Sequence, residues 1–227
     1  MNKNWEKELM PRLRILYFMA KQGDRMFPEH DLNHAQRVKN LCLFINEADS
    51  LNLDEEILTA AAFLHDIGYI SDDSPKHVES SIQIAQELLP AIQFPRNKIS
   101  PVITCIKNHD TVQERSGWKK EVSIECKVLR DADAIESVGA LGIIRYASWG
   151  GRHQMPFYNQ SKKLDNKSRL FPNIDLMENI KIRTRELISR CYTKTGMAIM
   201  RERIKIMQKF ISEIEKEINF AENLGGK

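Results

Sequence analysis

Apolar residues recur along this chain at spacings of three and four, and no stretch of useful length alternates as a half-buried strand would. Helix is therefore expected nearly everywhere. Leu9, Leu13, Leu16 and Tyr17 mark one face over roughly residues 4 to 21, with Pro11 kinking that helix or marking its start. After a loop at Phe27 and Pro28, the stripe Val38, Leu41, Cys42 and Ile45 also contains His34 one turn earlier, so His34 is expected to point inward. Residues 54 to 67 carry Ile57, Ala61 and Leu64, open on Asp54 in an N-cap position and run to a stop at Gly68, which puts His65 and Asp66 in the last turn. Ser74-Pro75 opens a helix with Val78, Ile82, Ala85 and Leu89 on one face and His77 in its first turn. Ile99, Val102, Ile103 and Ile106 form another, closed by Asn108-His109-Asp110.

A polar stretch from Thr111 to Lys120 breaks the pattern. Residues 121 to 148 read as one or two helices, with Ile124, Val128, Ile135, Leu141 and Ile144 as core candidates and Gly139 and Gly142 at a close contact or a break. Residues 149 to 172 hold Gly150, Gly151, Pro156 and Pro172 without periodicity and read as a long loop, a candidate lid. From about residue 174 two helices follow, parted near Thr193 to Gly196. In the last, Met200, Ile204, Met207, Ile211, Ile214 and Ile218 are spaced 4, 3, 4, 3, 4, a heptad-like seam that either packs along the parent domain or makes a homodimer contact.

A chain of 227 residues with 42% apolar and 29% charged residues is long enough to bury a sizeable core. Its 34 basic and 31 acidic residues are interspersed, which argues against nucleic acid as a partner. No segment approaches the roughly 18 apolar residues of a membrane span, and MNKNWEKELM lacks the apolar core of a signal peptide. Cys42, Cys105, Cys126 and Cys191 form no CxxC pair and read as free thiols, most of them buried, in a reducing compartment. A cytoplasmic protein without membrane partners is expected.

Of six histidines, His34, His65, His77 and His109 fall at helix ends or on inward faces beside acidic residues, whereas His30 and His153 have no such context and are expected on the surface. A divalent ion needs several ligands converging from different elements, and imidazole with carboxylate suits Mn, Fe, Co, Ni or Zn, while Mg prefers oxygen. His65 and Asp66, adjacent at a helix terminus, can turn toward one point.

The order His34, then His65-Asp66 within AAFLHDIGY, then KVLRDADAIESVGALGIIR resembles the HD superfamily of metal-dependent phosphohydrolases, whose signature is H, HD and D. The likeness is closer to a bacterial subgroup of predicted hydrolases, through His77-Val78-Glu79-Ser80, Asn108-His109-Asp110, Asp131 to Arg145 and the tail TKTGMAIMRERIKIMQKFISEIEKE. It covers most of residues 30 to 220. The resemblance implies an all-α HD-domain helical bundle with a long C-terminal helical extension: one domain over 1–227, with 25–148 carrying the metal site and 174–222 the extension. It implies His34, His65 and Asp66 as metal ligands. The fourth ligand becomes Asp133, because the family's aspartate commonly follows alanine and precedes a small or basic residue and then a hydrophobic one; Asp131 is then expected behind it, orienting an imidazole.

Many relatives follow HD with a glutamate that moves protons, but here Ile67-Gly68-Tyr69-Ile70 follows, leaving Glu79, Asp66 or Asp72 for that role. His77 and His109 stand where two-metal relatives place further ligands, and either complete a second metal site or bind phosphate. Arg37 and Arg145 match recurrent family positions for holding substrate phosphates, and Lys107 is a further candidate. The activity implied is hydrolysis of phosphate bonds in a nucleotide or related phosphorylated metabolite, with a divalent ion (Mn, Fe, Co, Ni, Zn or Mg) as cofactor. A dinuclear phosphodiesterase acting on cyclic nucleotides or dinucleotides is the alternative, and a non-catalytic nucleotide-binding regulator the alternative from another class.

Overall fold

A helix that is apolar all round belongs in the middle of a core, and residues 57–64 are such a run: every one is buried in the structure. The structure is a computed structural model and describes residues 4–23, 27–71, 76–110, 122–158 and 175–224. Among these residues the secondary structure is α-helix and short 3-10 turn, without a strand, and no helix is long and apolar enough to cross a membrane.

The chain divides into two compact units, Met1–Asp133 with Tyr192–Gly196, and Ala134–Cys191 with Met197–Lys227. In the first, α1 spans Asn4–Gln22 with Pro11 inside it, a 3-10 turn covers Pro28–His30, and α2 runs Leu32–Ala48. The central helix α3 spans Glu55–Leu64, a second 3-10 turn covers Ile67–Ile70, and α4 and α5 span His77–Ala91 and Arg96–Asn108. The helix α6 occupies Ile124–Glu136. Two aspartates start the helices that matter for the site. Asp31 caps α2 by accepting from His34 N at 2.8 Å, and Asp54 caps α3 by accepting from Glu56 N at 2.9 Å. Around α3 pack α2 and α5, and α4 packs on α5 and on the second 3-10 turn. Leu9, Leu13, Val38, Cys42, Ile45, Leu89, Val102 and Ile106 are buried there, as the apolar spacing requires.

Residues Tyr192–Gly196 belong to this unit because two buried or half-buried carboxylates hold them. Asp131 accepts from Tyr192 N at 3.1 Å, Thr193 N at 2.7 Å and Thr193 Oγ1 at 2.6 Å, while Asp49 accepts from Thr195 N at 3.1 Å. Gly196 fits the same spot, since a Cβ there would lie 3.1 Å from Asp131 Oδ2. Asp131, expected from sequence behind Asp133, thus anchors the entry to the last helix.

In the second unit α7 spans Gly139–Arg152, α8 Leu176–Ser189 and α9 Lys194–Leu224, of which Met197 onward lies in this unit. Gly139 has φ +82°, which favours glycine, and a Cβ would press on Arg203. The first four residues of the expected seam, Met200, Ile204, Met207 and Ile211, are buried, and Thr184 of α8 donates to Met207 Sδ at 3.6 Å. Ile214 and Ile218 are half-buried.

Several expectations change. The helix from residue 54 ends at Leu64 rather than at Gly68, and Gly68 lies inside the following 3-10 turn. Residues 149–152 are helical, part of α7, rather than loop. Ile144 is 65% exposed because the closely packed side of α7 is its glycine side, Gly139, Gly142 and Gly150, and Ile144 stands about 150° around from it. Ile124 is exposed at the first position of α6. Cys42, Cys105 and Cys126 are buried free thiols, as expected, and Cys191 is half-buried. Ser74-Pro75, the stretch 111–120 and residues 159–172 of the candidate lid lie outside the described residues.

Candidate metal centre

Asp66 is the hub of the histidine cluster. It follows α3 directly: His65 is the C-cap residue, and Asp66 begins the second 3-10 turn. The two carboxylate oxygens face different neighbours. Asp66 Oδ2 lies 3.3 Å from His65 Nε2 and 3.6 Å from His34 Nε2, and Asp133 Oδ1 comes within 3.4 Å of His34 Nε2 and 3.8 Å of His65 Nε2. Asp66 Oδ1 lies 3.1 Å from His109 Nε2 and 3.6 Å from His77 Nε2. One ligand atom each from His34, His65, Asp66 and Asp133 falls within 4.8 Å of the others, and the same holds for Asp66, His77 and His109.

These residues fit a divalent ion. With bonds of about 2.0–2.2 Å to imidazole and carboxylate, neighbouring ligand atoms on one ion stand roughly 3–3.5 Å apart, close to the 3.3–3.8 Å between the two nitrogens and the two carboxylates. The His65 ring is wholly buried, yet its Nε2 has no hydrogen-bond partner, an unusual cost unless a ligand takes the lone pair. Its tautomer is set from behind, because Nδ1–H donates to the Ala62 carbonyl at 2.8 Å and leaves Nε2 as the free donor atom. His109 repeats the device at the end of α5, donating from Nδ1 to the Ile106 carbonyl at 2.7 Å. Both histidines reach back three residues at a helix terminus.

The carboxylates and imidazoles of the cluster shift one another's protonation. Burial disfavours a charged His65, but Asp66 and then Asp133 overcome it and push the pKa up to about 10. Asp66 and Asp133 are likewise buried against their charge, and the imidazoles of His65, His30 and His109 for Asp66, and His34 and His65 for Asp133, hold both well below the usual carboxylate range. Burial also opposes charging His109, and Asp66 raises its pKa nevertheless. The side chain of Asp133 is 27% exposed, against 6% for Asp66 and 1% or less for His34 and His65, so the group opens to solvent at Asp133.

The HD domain family matches residues 31–137, a span that holds all four residues of the first group. Residues 31–137 form an HD domain. YpgQ from Bacillus subtilis is 25% identical over 189 residues, covering 83% of this chain and 84% of YpgQ. A Lactobacillus plantarum protein has the same fold at TM-score 0.72 and 21% identity, covering 92% of this chain and 97% of its own. An HD-superfamily hydrolase from Bacillus thuringiensis matches at TM-score 0.63 and 19% identity, covering 92% and 98%.

The residues expected from sequence separate into three sets. His34, His65, Asp66, Asp133, His77 and His109 come together around Asp66. Arg37 is half-buried one turn beyond His34 on α2, and Arg145 is half-buried on α7 of the second unit. Glu79 and Lys107 are exposed. Glu79 stands two residues past the buried His77, about 200° around α4, and neither metal-capable group includes it. Asp72, the other alternative, lies outside the described residues.

One residue expected on the surface is part of the centre. His30 Nδ1 lies 2.6 Å from Asp66 Oδ2, with the His30 side chain 18% exposed. Tyr69 was not singled out by sequence either, and its ring stacks on both His30 and His77. The available signal was the spacing of His30, four residues before His34 and next to the capping Asp31. His153, by contrast, is exposed as expected.

Proposed function

We propose that this protein is a metal-dependent phosphohydrolase that cleaves phosphate bonds of a nucleotide or related phosphorylated metabolite. The observation that carries it is the group His34, His65, Asp66 and Asp133, four candidate ligands from two helices and the end of a third converging on one point, with the buried His65 Nε2 lacking a hydrogen bond. A divalent ion there supplies Lewis acidity toward a phosphoryl oxygen and lowers the pKa of a water for attack. The protein's own residues do the rest. His34 and His65 would offer ring nitrogens once a bound ion has displaced the His65 proton, Asp66 and Asp133 bring the negative charge, and the partly open side at Asp133 would admit substrate. Arg37, one turn from His34 on α2, is proposed to hold substrate phosphate; Arg145 and Lys107 are proposed for the same task with less support from position. Nucleotide as the substrate class is supported by YpgQ, one structure of which is a complex with ADP, at TM-score 0.66 and 23% identity.

The second group, Asp66 with His77 and His109, favours a second reading, a dinuclear phosphodiesterase in which His77 and His109 with Asp66 would hold a second ion. One experiment separates these. Purified protein is loaded with Mn, Co, Ni, Zn or Mg in turn and assayed against nucleoside mono-, di- and triphosphates and cyclic dinucleotides, with bound metal counted. One ion per chain and release of phosphate or pyrophosphate from a linear nucleotide support the first reading. Two ions, cyclic-dinucleotide cleavage and loss of one ion in His109→Ala support the second. Nucleotide binding without turnover under every metal would instead make the protein a regulator.

A further inference from the structure

Asp66 has to present one oxygen to each of two histidine groups, and a carboxylate at a helix terminus is free to rotate unless something holds it. Two residues outside both metal-capable groups do so. The turn Pro28–His30 is set by Pro28 at its first position and by His30 N donating to the Phe27 carbonyl at 2.9 Å, and it delivers His30 Nδ1 to 2.6 Å from Asp66 Oδ2. Tyr69, three residues past Asp66, donates its backbone N–H to the Asp66 carbonyl at 3.1 Å. Its ring lies nearly parallel to His30 at 4.0 Å and 21° and to His77 at 4.2 Å and 14°. The turn that carries Tyr69 cannot slide. Gly68 N donates to the buried Ser81 Oγ at 2.8 Å, and Gly68 abuts the His77 carbonyl so closely that a Cβ would collide with it.

We propose that His30 and Tyr69 are positioning residues for Asp66. His30 donates from Nδ1–H to Oδ2 and so fixes the carboxylate plane, and Tyr69 holds the His30 and His77 rings in one stack, so that Oδ2 faces His34 and His65 while Oδ1 faces His77 and His109. The inference rests on the metal-site reading and adds to it a pair of residues that act through a ligand without being ligands. Hydrogen bonds of this kind to metal ligands set their orientation, and losing one typically costs about 10 to 100-fold in metal affinity.

The test uses the full chain. Cobalt(II) affinity is measured by competition with a chelating indicator, and the cobalt absorption bands are recorded at saturation, after a metal-free thermal melt of each variant. His30→Phe keeps a ring against Tyr69 but has no donor, and should bind about 10 to 100-fold more weakly with shifted bands. His30→Asn carries an N–H near the place of Nδ1 and should recover most of the affinity. Tyr69→Leu should weaken binding in the same direction with His30 intact, and Tyr69→Phe should behave as wild type. Wild-type affinity and bands in His30→Phe overturn the proposal, as does His30→Asn binding no better than His30→Phe. Should His30→Phe fail to fold, Tyr69→Leu decides, and wild-type affinity there overturns it. A wild-type chain that takes up no cobalt refutes the metal-site reading itself, which keeps the two failures apart.

Discussion

Asp131 and Asp133 are two residues apart on α6 and so point about 200° apart around it. One carboxylate can look into the histidine cluster and the other cannot. Asp133 approaches His34 and His65, whereas Asp131 holds Tyr192 and Thr193. Their amides should therefore fail in different ways. Asp133→Asn should lose most metal affinity and, at neutral pH, also the part of the metal-free stability that its pairing with His34 and His65 supplies. Asp131→Asn should cost about 1–3 kcal/mol, since it weakens several buried hydrogen bonds to a charged acceptor, and leave metal affinity near wild type. Metal competition and urea titration check both; the opposite pattern would move the ligand to Asp131. His65 adds a pH dependence. With its metal-free pKa near 10, a cation must displace a proton from it at neutral pH, so affinity should climb as pH rises toward 10. Each ion bound should release protons, measurable by calorimetry in buffers of different ionisation enthalpy. The raised His65 pKa stabilises the metal-free fold fully below the unfolded value of about 6.5 and the benefit is lost as pH rises through about 10. The depressed carboxylates Asp66 and Asp133 act in the opposite sense, stabilising above about pH 4 and losing that as pH falls. Metal-free stability should peak between those limits, and a melt series across pH that rises steadily into alkali would contradict it.

The second 3-10 turn, Ile67–Ile70, connects the end of α3 to α4 at closest approach. Gly68 sits against the His77 carbonyl and within 2.8 Å, measured from a built Cβ, of Ser81 N. Gly68→Ala must push the turn and α4 apart, a form of overpacking that typically costs about 1–3 kcal/mol. Because the same turn carries Tyr69 and faces His77, metal affinity should fall along with stability. Urea unfolding and cobalt competition on the same preparation test the link, and a stable Gly68→Ala chain with normal affinity would remove the turn from the argument. At this scale the apolar spacing was sufficient to find each helix among the described residues, but not its ends. Gly68 looked like a helix stop because glycine commonly is one; here it answers a need for close approach that only α4 creates.

For the molecule as a whole, metal should bind the folded chain and not the unfolded one, because the proposed ligands come from α2, the end of α3 and α6, far apart in sequence. Added ion at about 100 times its dissociation constant should then contribute about 2.7 kcal/mol. Thermal melts with and without cobalt measure this, and Asp66→Ala should abolish the gain because Asp66 belongs to both groups. An unchanged melting temperature in the wild type would count against a preformed site.

The sequence alone determined the helical architecture, since 3.6-residue periodicity is a local property that each segment carries without reference to the others. Through the ordered motifs that resemble the HD superfamily it also pointed to His34, His65, Asp66 and Asp133, which the fold brings together as a group that could hold an ion. What it left open depended on which faces meet. His30 precedes its helix on a turn, so no stripe betrays its direction, and its contact with Asp66 spans 36 residues. Glu79, plausible by its nearness to His77, is turned outward by the helical twist of α4. The division of labour between Asp131 and Asp133 needed the segment 192–196, some 60 residues away, to claim one of them. A one-dimensional pattern reports which side of its own helix a residue occupies; only the packed structure decides what stands opposite that side.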